Sequence, residues 1–431
     1  MTPERLEELL RTRPSHQRTY NRELPDLAMR REPVRASGLP LGWAAAVLVV
    51  GLVAVVGAST FGPWQHAPAA AEPSAAATAS RQAFSATGSM KEARQQASAT
   101  LLKDGRVLVV GGNDVNNLAI VPSAELYDPA TGKFTFTGSP HVTGVPIISA
   151  LLKSGRVLVI GCDRSDSCAS SLADVYDPST GLFSAVGPIT GFCAFCTATL
   201  LNDGRVLVAR GVDPSFNPEP SLLFDPATDT FATTGSMTTA RIAQTATLLS
   251  DGRVLIAGGY DSTTKSLASA ELYDPETGTF SPTGSMTTAR GGQTATLLSD
   301  GRVLIAGGGG DSTLHISTLK NLASAELYDP KTGTFSPTGS MTIARVDQTA
   351  TLLSDGRVLI AGGYDSPFVS LASAELYDPK TGTFGPSVPM TAGRAVQTAT
   401  LLSDGSVLIA GGSDSLGSLG NPLSSAELYQ P

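Results

Sequence analysis

Histidine is scarce in this 431-residue chain: there are four, and only His141 and His315 fall beyond residue 82. Tryptophan is scarcer still, with Trp43 and Trp64 and none later. So few imidazoles leave no Ser-His-Asp set and no histidine-based metal site to assemble, and no pair of carboxylates stands in a recognisable acid–base setting. We therefore assign no catalytic residue and expect no cofactor and no metal. Helical periodicity is missing from the same region, which excludes an α-solenoid. Basic clusters are missing there too. The chain carries −8 overall, and its first 40 residues hold eight arginines against six acids, so the remainder carries −10. An acidic body with dispersed lysine and arginine is a poor nucleic-acid binder, and no nucleic-acid partner is expected.

What the chain has instead is repetition. Seven times from residue 94 onward, a hydrophobic hairpin ends in glycine and an acidic–aromatic strand follows. The clearest copy reads QTATLLSDGRVLIAGGYD at 244–261 and SAELYDPETGTFSPTGSM at 269–286. The turn glycines Gly105, Gly155, Gly204, Gly252, Gly301, Gly356 and Gly405 mark its register at spacings of 48 to 55 residues. TATLL and RVLIAGG flank Ser-Asp-Gly, whose glycine accepts the positive φ of a tight hairpin. SAELYD and TFSPTG flank Asp-Pro-Glu-Thr-Gly, where proline presets a turn. Each unit is thus a four-stranded antiparallel meander with two apolar faces, which copies bury only by packing face to face around an axis. Thr245, Ala246 and Thr247 are small enough for the innermost strand, where space is least.

The double glycine Gly258-Gly259 and the spacing from Tyr273 to Phe280 resemble the kelch repeat, with phenylalanine where that family usually has tryptophan. The resemblance runs over residues 83–431 and implies an all-β fold, a seven-bladed kelch-type β-propeller. Blades 1, 4, 5, 6 and 7 keep the glycine pair, whereas blade 2 has Gly161-Cys162 and blade 3 has Arg210-Gly211. The last copy stops at SSAELYQP without a fourth strand, and FSATGSM at 84–90 precedes the first copy as an orphan. Together they are expected to complete blade 7 and seal the ring. The galactose oxidase propeller is similar as well. An enzyme of that kind needs a histidine and tyrosine copper set and a further C-terminal domain, which this sequence is not expected to supply, and no sialidase-like arginine triad is recognisable.

The expected organisation is a cytoplasmic arm at 1–40, a single transmembrane α-helix at 41–61, an Ala/Pro-rich linker at 62–82 and the propeller at 83–431. Residues 41–61 form an apolar run bounded by Trp43 and Trp64, inside a stretch from Ala36 to Ala71 without Asp, Glu, Lys or Arg. That length suits a hydrocarbon core of about 30 Å. Arg5, Arg11, Arg13, Arg18, Arg22, Arg30, Arg31 and Arg35 keep the arm cytoplasmic and put the propeller outside, on the extracellular side of the cell membrane. APAAAEP at 67–73 offers a cleavage site, a reading that the arm of nearly forty residues opposes. The segment PERLEELLRT either frays as a charged tail or docks on a cytoplasmic partner.

Cys162, Cys168, Cys193 and Cys196 all lie in or beside the two irregular blades. Outside the cytoplasm they favour two disulfides of unassigned connectivity, with a four-thiolate zinc site as the alternative. Arg94, Arg241, Arg290, Arg345 and Arg394 open five blades whose third strands carry Glu125, Glu271, Glu326, Glu375 and Glu427. Blade 3 has Cys193 and Leu222 at those places, and this joint absence points to pairing within a blade. Blade 2, with Gly144 and Asp174, breaks the pattern. Acids also follow the glycine pairs. Asp114, Asp163, Asp213, Asp261, Asp311, Asp365 and Asp414 either cap their own loops or form a collar able to hold a cation or a basic side chain. That face carries the long loops 113–122 and 309–322, and Arg164 and Arg210 interrupt the acids there. The ligand-binding candidates are therefore Asp114, Arg164, Arg210, Asp213, Asp261, Asp311, Asp365 and Asp414. The expected function is recognition of a protein or glycan through this face by a membrane-tethered propeller. A degenerate carbohydrate-active enzyme, related to galactose oxidase-like propellers, is the alternative.

Overall fold

Gly252 shows how each repeat folds: at φ +90° it lets Leu249 and Arg253 close the first hairpin, with Leu249 N donating to Arg253 O over 2.8 Å. The strands Thr245–Leu248, Val254–Ala257, Ala270–Asp274 and Thr279–Pro282 then follow in antiparallel order as one blade. All four residues of the second strand are buried, as its unbroken apolar run demands of a strand covered on both faces. The computed structural model describes residues 82–114, 121–142, 147–162, 171–189, 191, 193, 195–212, 216–310, 320–365, 369–415 and 420–431, without the side chains of Cys162 and Pro188. These residues form seven such sheets, and the first strands of neighbouring sheets pack against one another all the way round. The apolar core lies between blades. Leu201, Leu207 and Ala209 of blade 3, for example, meet Val254, Ile256 and Tyr273 of blade 4.

The ring closes as expected. Ala83–Ala86 is the outer strand of blade 7, antiparallel to Ala426–Gln430, with Phe84 opposite Tyr429 and their ring centroids 5.0 Å apart. A tilted aromatic pair recurs within every other blade, Tyr–Phe from Tyr127–Phe134 to Tyr377–Phe384 except for Phe224–Phe231 in blade 3. The arm, transmembrane span and most of the linker expected at 1–82 lie outside the described residues. Among the described residues, no helix is long and apolar enough to cross a membrane.

A latch ties each outer strand to the next blade. Thr234 Oγ1 lies 2.9 Å from Tyr273 Oη, and Gly235 N donates to Gly278 O over 2.9 Å. Thr87–Tyr127, Thr137–Tyr176, Thr283–Tyr328 and Thr338–Tyr377 repeat the side-chain part. Two junctions depart. Between blades 6 and 7 the outer strand is split into Thr383–Phe384 and Val388–Pro389, and the fully buried Tyr429 hydroxyl finds no partner among the described residues. Burial pushes its pKa up to about 12. An orphaned hydroxyl destabilises, whereas a bonded one stabilises. Tyr429→Phe is therefore expected to raise the unfolding free energy by about 1 kcal/mol and Tyr273→Phe to lower it by about the same. Equal losses in both, measured by urea unfolding, would show that Tyr429 has a partner after all.

Between blades 2 and 3 the latch is absent and its members have changed together. Val186 stands in the place of the threonine, Phe224 in that of the tyrosine and Asp229 in that of the turn glycine. A cleft of about 290 Å³ opens there, lined by Arg156, Asp177, Gly187 and Asp229 among others. Arg156 spans the junction to Asp229 at 2.8 Å. In blade 4 the corresponding Arg253 pairs instead with Asp251 of its own turn, a partner that Ser154 replaces in blade 2.

Candidate functional site

In five blades the link to the preceding blade is built on a buried charge pair. Arg241 lies 3.0 Å from Glu271, and its guanidinium also donates to the carbonyls of Gly258 and Ser269 and to Ser269 Oγ. Glu271 in turn accepts from the amides of Thr238 and Thr239. Arg94–Glu125, Arg290–Glu326, Arg345–Glu375 and Arg394–Glu427 repeat the pair at 2.8 to 3.0 Å. All five arginines are fully buried, and desolvation lowers their pKa against the raising effect of the carboxylates. These groups are structural.

Blade 2 corrects one expectation: Asp174 is not left alone. His141 supplies both its amide and Nδ1, each 2.7 Å from the Asp174 carboxylate. The partner was missed because it sits three residues before the register of Gly144. Blade 3 lacks the pair, as expected, with Cys193 and Leu222 in an apolar cluster, and carries a different one elsewhere. Arg210 is 4% exposed, donates through Nε to Pro220 O over 2.7 Å and pairs with Glu219 at 2.8 Å. Burial thus gives Arg210 a structural role in place of the ligand contact expected of it. Cys193 and Cys196, at the places of the arginine and of the following glutamine, form a disulfide that packs with Leu222 in the apolar core. Four-thiolate zinc is excluded by that bond. Cys168 and the Cys162 side chain lie outside the described residues.

The glycine pairs bring the two kinds of loop together at one end of the ring. A Cβ on Gly258 would lie 2.5 Å from both Arg290 O and Gln293 Nε2 of the next blade, and Gly259 has φ +98°. Gln293, Gln348 and Gln397 each donate to an alanine carbonyl of the preceding blade at 2.8 to 2.9 Å. Immediately before these glutamines lies a belt of residues with positive φ: Ala243, Gly292, Asp347 and Val396, with Gln96 and Phe195 at the equivalent places. Their backbones are chained from blade to blade. Gly292 N donates to Ala243 O, Asp347 N to Gly292 O, Val396 N to Asp347 O and Gln96 N to Val396 O, at 3.1 to 3.2 Å. Five different side chains other than glycine thus ride on one repeated backbone, and no common residue type betrays the belt in the sequence.

The acids expected to form a collar mostly serve their own loops. Asp261 accepts from Thr263 N and Oγ1 and from Lys265 N; burial opposes ionisation, but these bonds hold the carboxyl below its usual range. Asp414 accepts from Asn421 N and Nδ2 and from Ser415. Asp365 holds its loop by backbone bonding to Val369, and Asp114 is partly buried beside the belt bridge of Gln95 and Asn113. Arg164, Asp213 and Asp311 lie outside the described residues. The sequence reading missed Asp347. It is exposed at the belt, and its carboxylate makes no hydrogen bond or ion pair among the described residues.

Seven four-stranded blades, closed by a strand from the opposite end of the chain, define a β-propeller with kelch-like repeats. Residues 241–287 match the family model described as the Kelch motif. A search of curated proteins finds no match. Among solved structures, the chain is similar to a fungal alcohol oxidase of the AA5 family in complex with copper, at 18% identity over 81% of this chain and 76% of that one, with a TM-score of 0.66. That likeness is one of fold alone. Among the described residues no three His, Cys, Asp or Glu side chains converge as a metal set.

Proposed function

We propose that the chain is a membrane-tethered, extracytoplasmic kelch propeller that recognises a protein or a glycan through its loop-rich face. The belt carries this reading. At one end of the ring a repeated backbone presents Gln96, Phe195, Ala243, Asp347 and Val396, all different, while the other end repeats the same tight turns. Variable side chains on an over-determined backbone are what a recognition surface requires. Phe195 is 37% exposed there, as an anchor would be. Tethering draws its support from the apolar run at 41–61 and the arginines before it. The test is a glycan array and partner capture with the full chain and two variants. Gln96→Ala with Phe195→Ala is expected to reduce the bound signal at least tenfold, and Glu276→Gln in the opposite turns to leave it unchanged. Equal loss in both would overturn the reading. Stoichiometric copper with peroxide release from alcohols would favour the enzyme instead.

A further inference from the structure

Blade 5 is hollowed at the belt. It has Gly291-Gly292 where blade 4 has Ile242-Ala243, and Gly309-Gly310 where blade 4 has Tyr260-Asp261. Tyr260 of blade 4 fills part of that hollow. Its ring lies where any Cβ on Gly291 would be, its hydroxyl donates to Gly291 O over 3.1 Å, and a Cβ on Gly309 would meet that hydroxyl. Over the next glycine come Val346 and Asp347 of blade 6, with Val346 Cγ2 3.0 Å and Asp347 Oδ1 3.1 Å from where a Gly292 Cβ would sit. An aromatic ring and an uncommitted carboxylate therefore stand over two consecutive glycines, with the Val346 methyl beside the carboxylate.

We propose that this notch binds an organic cation, the ammonium or guanidinium of a basic side chain on a partner, with Asp347 as counter-ion and the Tyr260 ring as its wall. The chemistry follows from what is present. A lone carboxylate beside an aromatic face attracts a cation on both counts. The five described belt equivalents of Asp347 carry no charge, so among the described belt residues this attraction is offered at one place. The groups facing it are Tyr260 and the buried Tyr364, whose hydroxyls the Asp347 charge helps to keep protonated, although desolvation is the larger cause. Asp347 is exposed as a residue, yet the surrounding walls displace bulk water from its carboxyl, and this desolvation pushes it up to about 6. It is ionised above that pH and neutral below it, so cation binding is lost as pH falls through 6.

This inference rests on the loop-rich face being the recognition surface, and its test separates the two. A fluorescent tetralysine peptide is titrated into the full chain, read by anisotropy, at pH 7.5 and pH 5. Asp347→Asn keeps the size and the tolerance of positive φ, so its folding is expected to be intact. It is expected to weaken binding at pH 7.5 at least tenfold, about 1.4 kcal/mol, and to abolish the pH dependence. Glu276→Gln removes the same charge from the opposite turns and is expected to change affinity less than twofold. Equal effects of the two variants would mean general attraction to an acidic protein and overturn the notch. Calcium binding that Asp347→Asn removes, without specific peptide binding, would overturn it as well. If instead Gln96→Ala with Phe195→Ala abolishes partner capture while Asp347→Asn leaves peptide binding unchanged, the recognition reading stands and this one falls.

Discussion

Deletion of residues 83–90 is expected to lower the melting temperature by on the order of 10 °C and to promote association of the folded molecules. The segment supplies the outer strand of blade 7 and the Phe84 ring stacked on Tyr429. It also supplies Thr87, the hydroxyl partner of Tyr127, and Gly88, whose amide is bonded to Gly132 O. Losing an aromatic contact, a strand ladder and two latch bonds amounts to roughly 5 kcal/mol. In a domain of this size that corresponds to about 10 °C. The bared edge of Ala426–Gln430 also becomes a template for another chain. Differential scanning calorimetry and sedimentation velocity check both parts. An unchanged transition would mean that the ring does not depend on this strand.

The second large effect lies in the buried charge pairs. Glu271→Ala leaves the Arg241 guanidinium without its counter-ion and the amides of Thr238 and Thr239 without an acceptor, and is expected to destabilise by about 3–5 kcal/mol. Arg241→Met is expected to cost a similar amount. The double variant Arg241→Met with Glu271→Leu should recover at least about 2 kcal/mol relative to the sum, because it removes both charges at once. Blade 3 makes this expectation concrete, since its Cys193 and Leu222 occupy the same two places within an apolar cluster. Additive losses in a urea-unfolding cycle would show that the two groups act independently and that the carbonyl bonds of Arg241 carry its stabilisation.

The architecture was legible because it repeats. The glycine pairs, the Asp-Gly turns and the unpaired strand at each end of the array each imply the structure found. The charge pairs were legible for the same reason, through their joint replacement in blade 3. What escaped is what does not recur by residue type. The belt is a shared backbone conformation, and its occupants range from Gln96 to Val396, so no sequence pattern marks Asp347. His141 was hidden by a shift of register, and Arg210 by a partner outside the repeated pair, Glu219. The latch could have been found. Threonine stands before the glycine of TGS in every outer strand that faces a tyrosine in the next blade, except before blade 7, where Ser387 takes its place.

Because Ala83–Ala86 is laid beside Ala426–Gln430, the first piece of the wheel to leave the ribosome must wait for the last. Contacts separated by roughly 340 residues impose a slow final step on folding. Six blades can stack in order as they are made, while the seventh stays incomplete until translation has passed its end. A nascent chain stalled short of residue 426 would hold that strand unzipped, and it is in this interval that the molecule is most exposed to mispairing with its neighbours.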